Sequence, residues 1–488
     1  MTRALGTFRA FYLVALCCVG SFLFAYDTGI VGGILTFPSF QRDFRYTTKD
    51  KANVGSLSTS LLQAGAFFSC FFIWPFTALF GRRWSLVLAS AIFNIGAVVQ
   101  TINTHHLAGF YIARFVSAEM APKNIRGMLG SMFQFFFTLG VMTSYWVDYA
   151  ASIHIPDDSS AQWQLPVGLQ LVPGTILGLG MLFTKESTRW LAKSNRREEA
   201  LQSLIWVRGG DAPEVQEDWS NDLLLTHMPP GRFDEIVRSI DEENSIKAGL
   251  TWKELIEPVN RYRLGLIIAL QIDAPQIFGL VGAGQDKLLL TGFFGLVKVV
   301  ACLFFLLFLV ERIGRRGSLL AGAGLMGTYM LIVAILTVKF PPNPDAGLTP
   351  PSIASLTMIY LEAMSYNISW GPVPWVYTGE IFSSRTREAG IAISTSTQWL
   401  FNFVFSQATP HAVTNLGWRT FLMFSIFNFA LVIFVWFFIM ETKGKSLEEM
   451  EDLFARRAGV TIARPIEDGV ASEKEMEREA VMQSSKSN

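Results

Sequence analysis

Long apolar stretches recur along almost the whole chain. A helix that crosses the hydrocarbon core of a bilayer needs roughly 20 mostly apolar residues. Stretches of about this kind lie near 10–33, 54–80, 84–103, 106–120, 127–150, 165–184, 264–283, 288–310, 317–338, 352–379, 389–413 and 417–440. The first is too long for the core of a signal peptide and has no small-residue cleavage site after it, so we interpret it as a retained helix. The pattern predicts an all-α membrane protein with twelve transmembrane helices.

The composition argues against several other classes of protein. Charged residues make up 16% of the chain, against about 25% in an average soluble domain. The 40 basic and 40 acidic residues balance, so no net field favours a nucleic acid. All four cysteines, Cys17, Cys18, Cys70 and Cys302, lie in apolar runs, and the five histidines lack metal-ligand spacing. We therefore predict no nucleic-acid partner, no metal, no cofactor and no enzyme active site.

The placement of Lys and Arg predicts the orientation of the helices. Basic residues crowd alternate connections, namely Arg82-Arg83, Lys123 with Arg126, the polar stretch 185–260, Arg312 with Arg315-Arg316, Arg385 with Arg387, and Lys443 with Lys445. Both termini and the polar stretch are therefore expected in the cytosol. The predicted domains are a six-helix bundle (1–184), a cytosolic helical linker (185–260), a second six-helix bundle (261–441) and a disordered cytosolic tail (442–488).

An internal repeat supports this division into two sets of six helices. Three motifs recur in the same order: Gly81-Arg82-Arg83 as Gly314-Arg315-Arg316, Glu119 to Gly127 as Glu380 to Glu388, and Glu186-Ser-Thr-Arg189 as Glu441-Thr-Lys443-Gly444. Three matches in one order are difficult to obtain by chance. Two parallel six-helix repeats with a binding site between them are a known plan of membrane carriers.

A series of short motifs extends from the first predicted helix to about residue 455. They are Phe24-Ala-Tyr26-Asp27-Thr28-Gly29, Phe80-Gly-Arg-Arg83, Glu119…Arg126-Gly127, Glu186-Ser-Thr-Arg189-Trp190-Leu191, Glu311-Arg312-Ile-Gly314-Arg-Arg316, Trp370-Gly-Pro-Val-Pro-Trp375, Glu380-Ile-Phe382 and Glu441-Thr-Lys-Gly444. In this order they resemble the sugar porters of the major facilitator superfamily, most closely the fungal hexose and quinate permeases. The resemblance implies an alternating-access carrier.

Polar side chains inside the predicted spans are candidate substrate contacts. Asn and Gln donate and accept hydrogen bonds at once, which suits a hydroxylated ring. Gln398 and Asn402 lie four residues apart and share one helix face. With Gln134 and Trp375, they match the positions that contact sugar in the family. The alternative is that these polar groups only hold helices together.

Asp27 lies in the middle of the first predicted helix, where an unpaired charge is costly. Arg114, in the short fourth span, is its expected partner. In proton-coupled members of the family this Asp–Arg pair carries the coupling proton. The alternative is a permanent structural ion pair.

Charged residues at the predicted cytosolic helix ends form a candidate gate between the two halves. The set is Arg82, Arg83, Glu119, Arg126, Glu186, Arg189, Glu311, Arg315, Arg316, Glu380, Arg385, Arg387 and Glu441. Pairs across the halves would each be weak, on the order of 1 kcal/mol or less, but several together would latch the outward-open state. The alternative is ordinary positive-inside charge with snorkelling arginines.

Two segments depart from the family pattern. Residues 84–118, 35 in number, must hold two spans. If helix 3 takes about 20, the remaining ~15 reach about 22 Å, short of the ~30 Å core. In helix 7 the family's Gln-rich run is replaced by Leu270-Gln271 followed by Ile272-Asp273. We hypothesise a faulty gene model or alternative splicing, which sequencing of the transcript would test.

The sequence thus predicts proton-coupled uptake of a sugar or a sugar-like ring acid such as quinate. The expected partners are the small-molecule substrate, the proton and the lipid bilayer, and the chain is expected to act as a monomer in the plasma membrane. Two alternatives stay open: a non-transporting nutrient sensor, and an inactive truncated carrier.

Overall fold

In a computed structural model the chain is helical throughout the parts that the structure describes. These are residues 2–47, 50–102, 105–117, 128–208, 254, 257–271, 287–309, 312–341, 349–383, 386–445 and 447–457. The helices of the first half are α1 (Thr2–Ile34), α2 (Pro38–Phe44), α3 (Lys51–Phe80), α4 (Arg82–Thr101), α5 (Leu107–Ser117), α6 (Met128–His154), α7 (Ala161–Leu169), α8 (Leu171–Leu182), α9 (Thr188–Lys193) and α10 (Arg197–Arg208).

The second half repeats this arrangement of long helices. Its elements are α11 (Pro258–Leu270), α12 (Lys287–Phe304, continued by a π-helical turn Phe305–Leu309), α13 (Arg315–Lys339), α14 (Pro350–Ile368), α15 (Val373–Ile381), α16 (Arg387–Leu416), α17 (Trp418–Phe438) and α18 (Leu447–Arg457). Twelve membrane segments result when α7 is joined to α8 and α14 to α15, which confirms the predicted fold class. Among the described residues, seven helical stretches are long and apolar enough to cross a membrane by themselves.

Two of the membrane segments are broken rather than continuous. The span predicted at 165–184 corresponds to the stretch Ala161–Leu182, which is long and apolar enough to cross a membrane, and it has a short interruption at Gln170 between α7 and α8. Pro173 has no N–H to donate to the backbone oxygen of Leu169, and this weakens the helix there. The tenth segment breaks between Ile368 and Val373, in the Trp370-Gly-Pro motif.

The two halves meet along two pairs of helices. The second membrane segment of the first half, α3, packs against the fifth of the second half, α16. The reciprocal pair, α6 and α12, is the fifth segment of the first half against the second of the other. This reciprocity is the relation expected of two repeats about a pseudo-twofold axis, and it places the space between the halves beside these four helices.

Glycines allow α1 and α6 to approach each other closely. A side chain at Gly140 would meet the backbone of Phe22 on α1, and one at Gly29 would meet Ser144 on α6. Gly33, one turn after Gly29, lies against Asp148 in the same way. Small residues at such contacts let membrane helices gain van der Waals packing.

Two membrane segments are short in the part that the structure describes. The helix α5 has 11 residues and α11 has 13, which correspond to about 16 Å and 20 Å of rise. Each is followed by residues outside the described part, 118–127 and 272–286. The predicted departure at Ile272-Asp273 lies there, and Gln271 ends α11 with its Nε2 donating to Ser394 Oγ at 2.9 Å.

The polar linker and the tail both contain helices that pack on the bundle. In the linker, α10 packs against α1, and Arg9 donates from Nη1 to the backbone oxygen of Trp206 at 2.7 Å. The prediction of a disordered tail was wrong for 447–457, which forms α18. Met450 and Phe454 are 3% and 0% exposed against α11 and α15, because their four-residue spacing places both on one face.

One end of the bundle carries the arginines at 82, 83, 315 and 316, and we call it the basic end. The opposite, far end is closed in the first half by α2.

Asp43 on α2 is 7% exposed and accepts a hydrogen bond from Trp163 Nε1 at 2.9 Å. It also accepts from Arg42 Nη2 at 2.9 Å. Burial alone would raise the pKa of Asp43, but hydrogen bonds from Ser160, Trp163 and Arg42, with the Arg42 charge, hold it below the usual value.

We expect Asp43→Asn to lower the thermal midpoint of the purified protein at neutral pH. The lost charge-assisted hydrogen bonds correspond to about 1–3 kcal/mol. Because the folded-state pKa is lowered, the stabilisation is complete above the unfolded value of about 3.9 and is lost as the pH falls through the folded value. The difference in midpoint between wild type and variant should therefore be constant from pH 7 to about 5 and shrink only under stronger acid. A difference that vanishes near neutrality would contradict this account.

Candidate functional site

A buried ion pair joins α1 to α5 inside the first half. Asp27 and Arg114 are 1% and 0% exposed, and Arg114 Nη1 donates to Oδ1 of Asp27 in a close contact. The same nitrogen donates to the backbone oxygen of Asp27 at 2.9 Å, and Nε donates to that of Ser58 at 3.2 Å. The structure thus brings together the two residues that the sequence paired. Each offsets a charge that would be very costly alone in an apolar interior.

A chain of polar side chains leads away from this ion pair. Ser117 Oγ donates to Oδ2 of Asp27 at 3.3 Å, and Gln100 Nε2 donates to Ser117 Oγ at 3.0 Å. Gln170 Nε2, at the break between α7 and α8, lies 3.4 Å from Oε1 of Gln100. Lone polar residues inside apolar spans were the signal by which the sequence could have indicated this network. It ties the ion pair to α4 and to the membrane segment formed by α7 and α8.

Two of the predicted substrate contacts lie where α6 of the first half approaches the broken tenth segment. Gln134 is 7% exposed, and its amide Nε2 lies against Gly371 in the break between α14 and α15. Trp375, half-buried, packs edge-on against Phe133 with ring centroids 6.2 Å apart. An amide and an aromatic ring from different halves thus occupy one place, which suits recognition of a hydroxylated ring.

The other two predicted contacts lie on α16. Gln398 and Asn402 are half-buried and one turn apart, and Oε1 of Gln398 is a buried acceptor without a hydrogen-bond partner among the described residues. On the facing helix α3, Oε1 of Gln63 is also a buried acceptor without a hydrogen-bond partner among the described residues. Gln63 was not singled out from the sequence. Buried amides that the protein leaves unsatisfied are available to a polar ligand.

Two charged side chains that the sequence reasoning missed lie inside the second half. Lys298 on α12 and Glu362 on α14 interact electrostatically, and Glu362 is only 7% exposed. The Lys298 ammonium lies over the Phe294 ring, 5.4 Å from its centroid, and makes no hydrogen bond to the described residues. A lone Lys in the apolar run 288–310 and a lone Glu in 352–379 were the available signals.

The position of Lys298 relates it to the candidate substrate contacts. Cys302, one turn after Lys298, interacts with that ammonium and with the Thr138 hydroxyl of α6. Thr138 is one turn after Gln134 on the same face of α6. The ammonium therefore lies beside the contact between the halves, one to two turns nearer the far end than Gln134, because α6 and α12 run in opposite directions and Gly295 lies against Met142. A third missed residue, Asp148 on α6, is 0% exposed.

The predicted gate residues show the internal repeat at atomic detail. Glu186 accepts hydrogen bonds from the backbone N–H groups of Arg82 and Arg83 at 2.9 and 3.0 Å, at the start of α4. Glu441 does the same for Arg315 and Arg316 at 2.9 and 3.1 Å, at the start of α13. Each carboxylate thus satisfies free N–H groups at a helix N-terminus, where the helix dipole favours a negative charge.

Where the structure describes them, the gate charges pair within each half, not across the halves as the sequence predicted. Arg315 Nη2 forms an ion pair with Glu380 Oε1 at 2.7 Å, and Thr442 Oγ1 donates to Oε2 of the same carboxylate at 2.6 Å. Arg387 Nη2 donates to the backbone oxygen of Phe382 at 3.3 Å. The nearest partners of helix-end charges are the neighbouring helix ends of the same half. Glu119, Arg126, Glu311 and Arg385, and the side chain of Arg189, lie outside the described part.

Titratable groups able to hold a metal do not cluster in the described ranges. No three His, Cys, Asp or Glu side chains converge there. The described cysteines are free thiols. The chemistry of the site therefore rests on amides, an aromatic ring and two pairs of opposite charges.

Comparison with known proteins agrees with this geometry. The family model for "Sugar (and other) transporter" matches residues 13–454. A probable quinate permease of Aspergillus clavatus is 31% identical over 507 aligned residues, which cover 94% of this chain and 91% of that protein. The quinate permease of Emericella nidulans is 30% identical over 491 residues, covering 93% and 90%.

Solved structures show the same fold. The proton:xylose symporter XylE bound to 6-bromo-6-deoxy-D-glucose superposes with a TM-score of 0.68 at 21% identity, covering 93% of this chain and all of that one. The inward-open xylose transporter XylE from E. coli gives a TM-score of 0.68 at 23% identity, covering 91% and 99%.

Proposed function

The chain belongs to the sugar (and other) transporter family, and on that premise we propose that it couples the uptake of a ring-shaped, hydroxylated acid such as quinate to the entry of a proton. The observation that carries this proposal is the combination of a buried, titratable ion pair in one half with a lysine beside the contact between the halves. Its relatives are permeases, not enzymes.

Alternating access is supported by the way in which the halves meet. The pairs α3–α16 and α6–α12 form the contact between two repeats, so that rocking of one half against the other exposes the space between them to each side in turn. Within the proposal the gate charges at the basic end open and close this route. We place the basic end, both termini and the polar linker in the cytosol, and the monomeric carrier in the plasma membrane.

The proposed substrate site lies between the halves. Gln134 and Trp375 approach it from α6 and α15, and Gln398 and Asn402 from α16. Amide groups hydrogen-bond to ring hydroxyls, while the indole face covers the apolar face of the ring. This arrangement suits either a sugar or a ring acid.

Lys298 favours the ring acid over a neutral sugar. Its ammonium has donors that no described residue uses, and a substrate carboxylate would accept from it in a charge-assisted hydrogen bond. Glu362 balances the charge of Lys298 while the site is empty. A neutral hexose would gain nothing from this lysine. The names of the relatives, quinate permeases, point in the same direction.

Uptake measurements in cells that lack their own carriers test the proposed function. Radiolabelled quinate and hexoses would be offered singly across a range of external pH, with and without a protonophore. We expect quinate to accumulate, faster at acid pH, and the protonophore to abolish accumulation. Faster uptake of hexose than of quinate would overturn the substrate. Uptake that changes neither with external pH nor with the protonophore would overturn proton coupling. If none of the compounds is taken up, the nutrient sensor or the inactive carrier would be favoured.

We expect Lys298→Gln to lower quinate uptake about ten- to hundredfold, since a charge-assisted hydrogen bond contributes about 1.5–3 kcal/mol. Uptake of a neutral cyclic polyol that enters by the same carrier should change little. The matched control is Lys339→Gln, at an exposed lysine at the end of α13. Equal losses for the acid and the neutral polyol, at matched surface level, would show that Lys298 acts only in packing.

A further inference from the structure

Asp148 is a buried carboxyl group with no assigned partner. It lies on α6, is 0% exposed, and neither of its side-chain oxygens has a hydrogen-bond partner among the described residues. The backbone of Gly33 on α1 comes close enough to interact with the carboxyl group, but no hydrogen bond of ordinary length and angle joins them. A side chain at Gly33 would collide with the carboxyl group, so the group fills the contact between α1 and α6.

Among the described side chains, no cation neutralises Asp148; the side chain of Lys287, at the start of α12, lies outside the described part. The groups that interact with it electrostatically are Tyr26 on α1 and Tyr145 on its own helix, and Tyr26 interacts with Asp27 as well. The helix α7 has no titratable residue. Titratable groups on the other helices packed against α6 have different neighbours: Lys298 lies beside Glu362 and Cys302, and Glu380 pairs with Arg315 near Tyr377.

A carboxyl group in such a place is stable only with its proton on. Ionised, it would be an unpaired charge in an apolar contact, which costs far more than a neutral carboxyl group. Asp27 is in the opposite condition, because Arg114 neutralises it. The carboxyl groups of Asp27 and Asp148 therefore have different protonation states in this conformation.

The depth of Asp148 separates it from the ion pair. Gly33, its neighbour, is six residues after Asp27 on α1, which corresponds to about 9 Å along the helix towards the far end. If the basic end is cytosolic, as proposed above, Asp148 lies on the external side of the Asp27–Arg114 pair. A proton from outside passes the level of Asp148 before that of Asp27.

We propose that Asp148 is a second proton-binding site, loaded from the external solution, whose protonation lets α1 close on α6 during the transport cycle. The proposal rests on the proposed proton-coupled function. Water at the external side supplies the proton, which converts the carboxylate to the acid. When the proton leaves, the ionised group needs hydration, and this opens the contact at Gly33.

Infrared spectroscopy of the purified protein tests the protonation directly and does not require transport. We expect Asp148→Asn to remove a protonated-carboxyl band at neutral pH, while Asp27→Asn leaves that band in place. A band unchanged by Asp148→Asn would overturn the proposal. If the variant does not reach the membrane, the band is followed in wild type, where it should disappear reversibly at alkaline pH. A band that persists at every pH would equally overturn it.

The pH dependence of uptake tests whether that proton matters for the cycle. Asn resembles the protonated acid, so Asp148→Asn should keep its rate at higher external pH, with half-maximal uptake at a proton concentration at least about tenfold lower. The control is Ser144→Ala, which changes the same helix contact at Gly29 without a titratable group. A profile that superposes on wild type would overturn the role of Asp148, while wild-type quinate accumulation would leave the proposed function standing.

Discussion

Asp27→Asn is expected to abolish accumulation of substrate against its gradient while leaving exchange down the gradient. Coupling requires a group that takes up and releases a proton as the carrier changes conformation. Asp27 is a carboxylate paired with Arg114 and hydrogen-bonded by Ser117, and a bound proton would neutralise it in place of Arg114. Asn keeps the hydrogen bonding but cannot bind a transported proton. An uncoupled carrier only equilibrates its substrate, so the accumulation ratio should fall to unity for a neutral substrate and to unity or below for an anion. The measurement is steady-state uptake at acid external pH, with and without a protonophore.

A folding defect must be separated from a loss of coupling in this variant. Removing one partner of a buried ion pair leaves the other unpaired at a cost of about 3–5 kcal/mol, and Arg114 is fully buried. The double variant Asp27→Asn/Arg114→Gln removes both charges and should restore the surface level without restoring accumulation. If the single variant still concentrates substrate and stays sensitive to the protonophore, Asp27 is not the coupling residue. A double variant that concentrates substrate would lead to the same conclusion.

Trp375→Ala and Gln398→Ala are each expected to reduce the initial rate of uptake about ten- to hundredfold at low substrate concentration. The indole supplies the aromatic face of the proposed site, and the unsatisfied amide of Gln398 supplies hydrogen bonds to ring hydroxyls. Losing one such interaction costs about 1–3 kcal/mol in a water-excluded site, because the partner group on the substrate is left buried and unsatisfied. Initial rates would be measured at matched surface level over a range of substrate concentrations.

Two residues of the same types serve as controls. Trp436 is 60% exposed and lies beside Arg316 at the basic end. Gln164 hydrogen-bonds to the backbone oxygen of Thr101 at 3.0 Å, away from the contact between the halves. Their Ala variants should transport normally. Wild-type rates for Trp375→Ala and Gln398→Ala would remove both residues from the site, and the alternative that they only hold helices together would then stand.

Several residues of the site could not be identified from the sequence because they meet only through contacts between distant parts of the chain. Lys298 and Glu362 are isolated charges in separate apolar runs. Only the packing of α12 against α14 brings them together, and only the packing of α12 against α6 brings Lys298 to the contact between the halves. Gln100, Ser117 and Gln170 form a network only because α4, α5 and the break before α8 meet. The family motifs indicated Asp27 and Arg114 as a pair, but not their partners.

The sequence by itself determined the class of this protein, the number of its membrane segments and their division into two repeats. The reason is that each segment spans the bilayer according to the length of its own apolar run and the charges that flank it. The recurrence of motifs is likewise visible in the sequence without knowledge of the packing. Only the tertiary structure decided that Glu186 and Glu441 bind helix starts in their own half, that α18 packs on the bundle, and that Asp148 lies against Gly33. These depend on distances between residues far apart in the chain, which the close packing of helices sets.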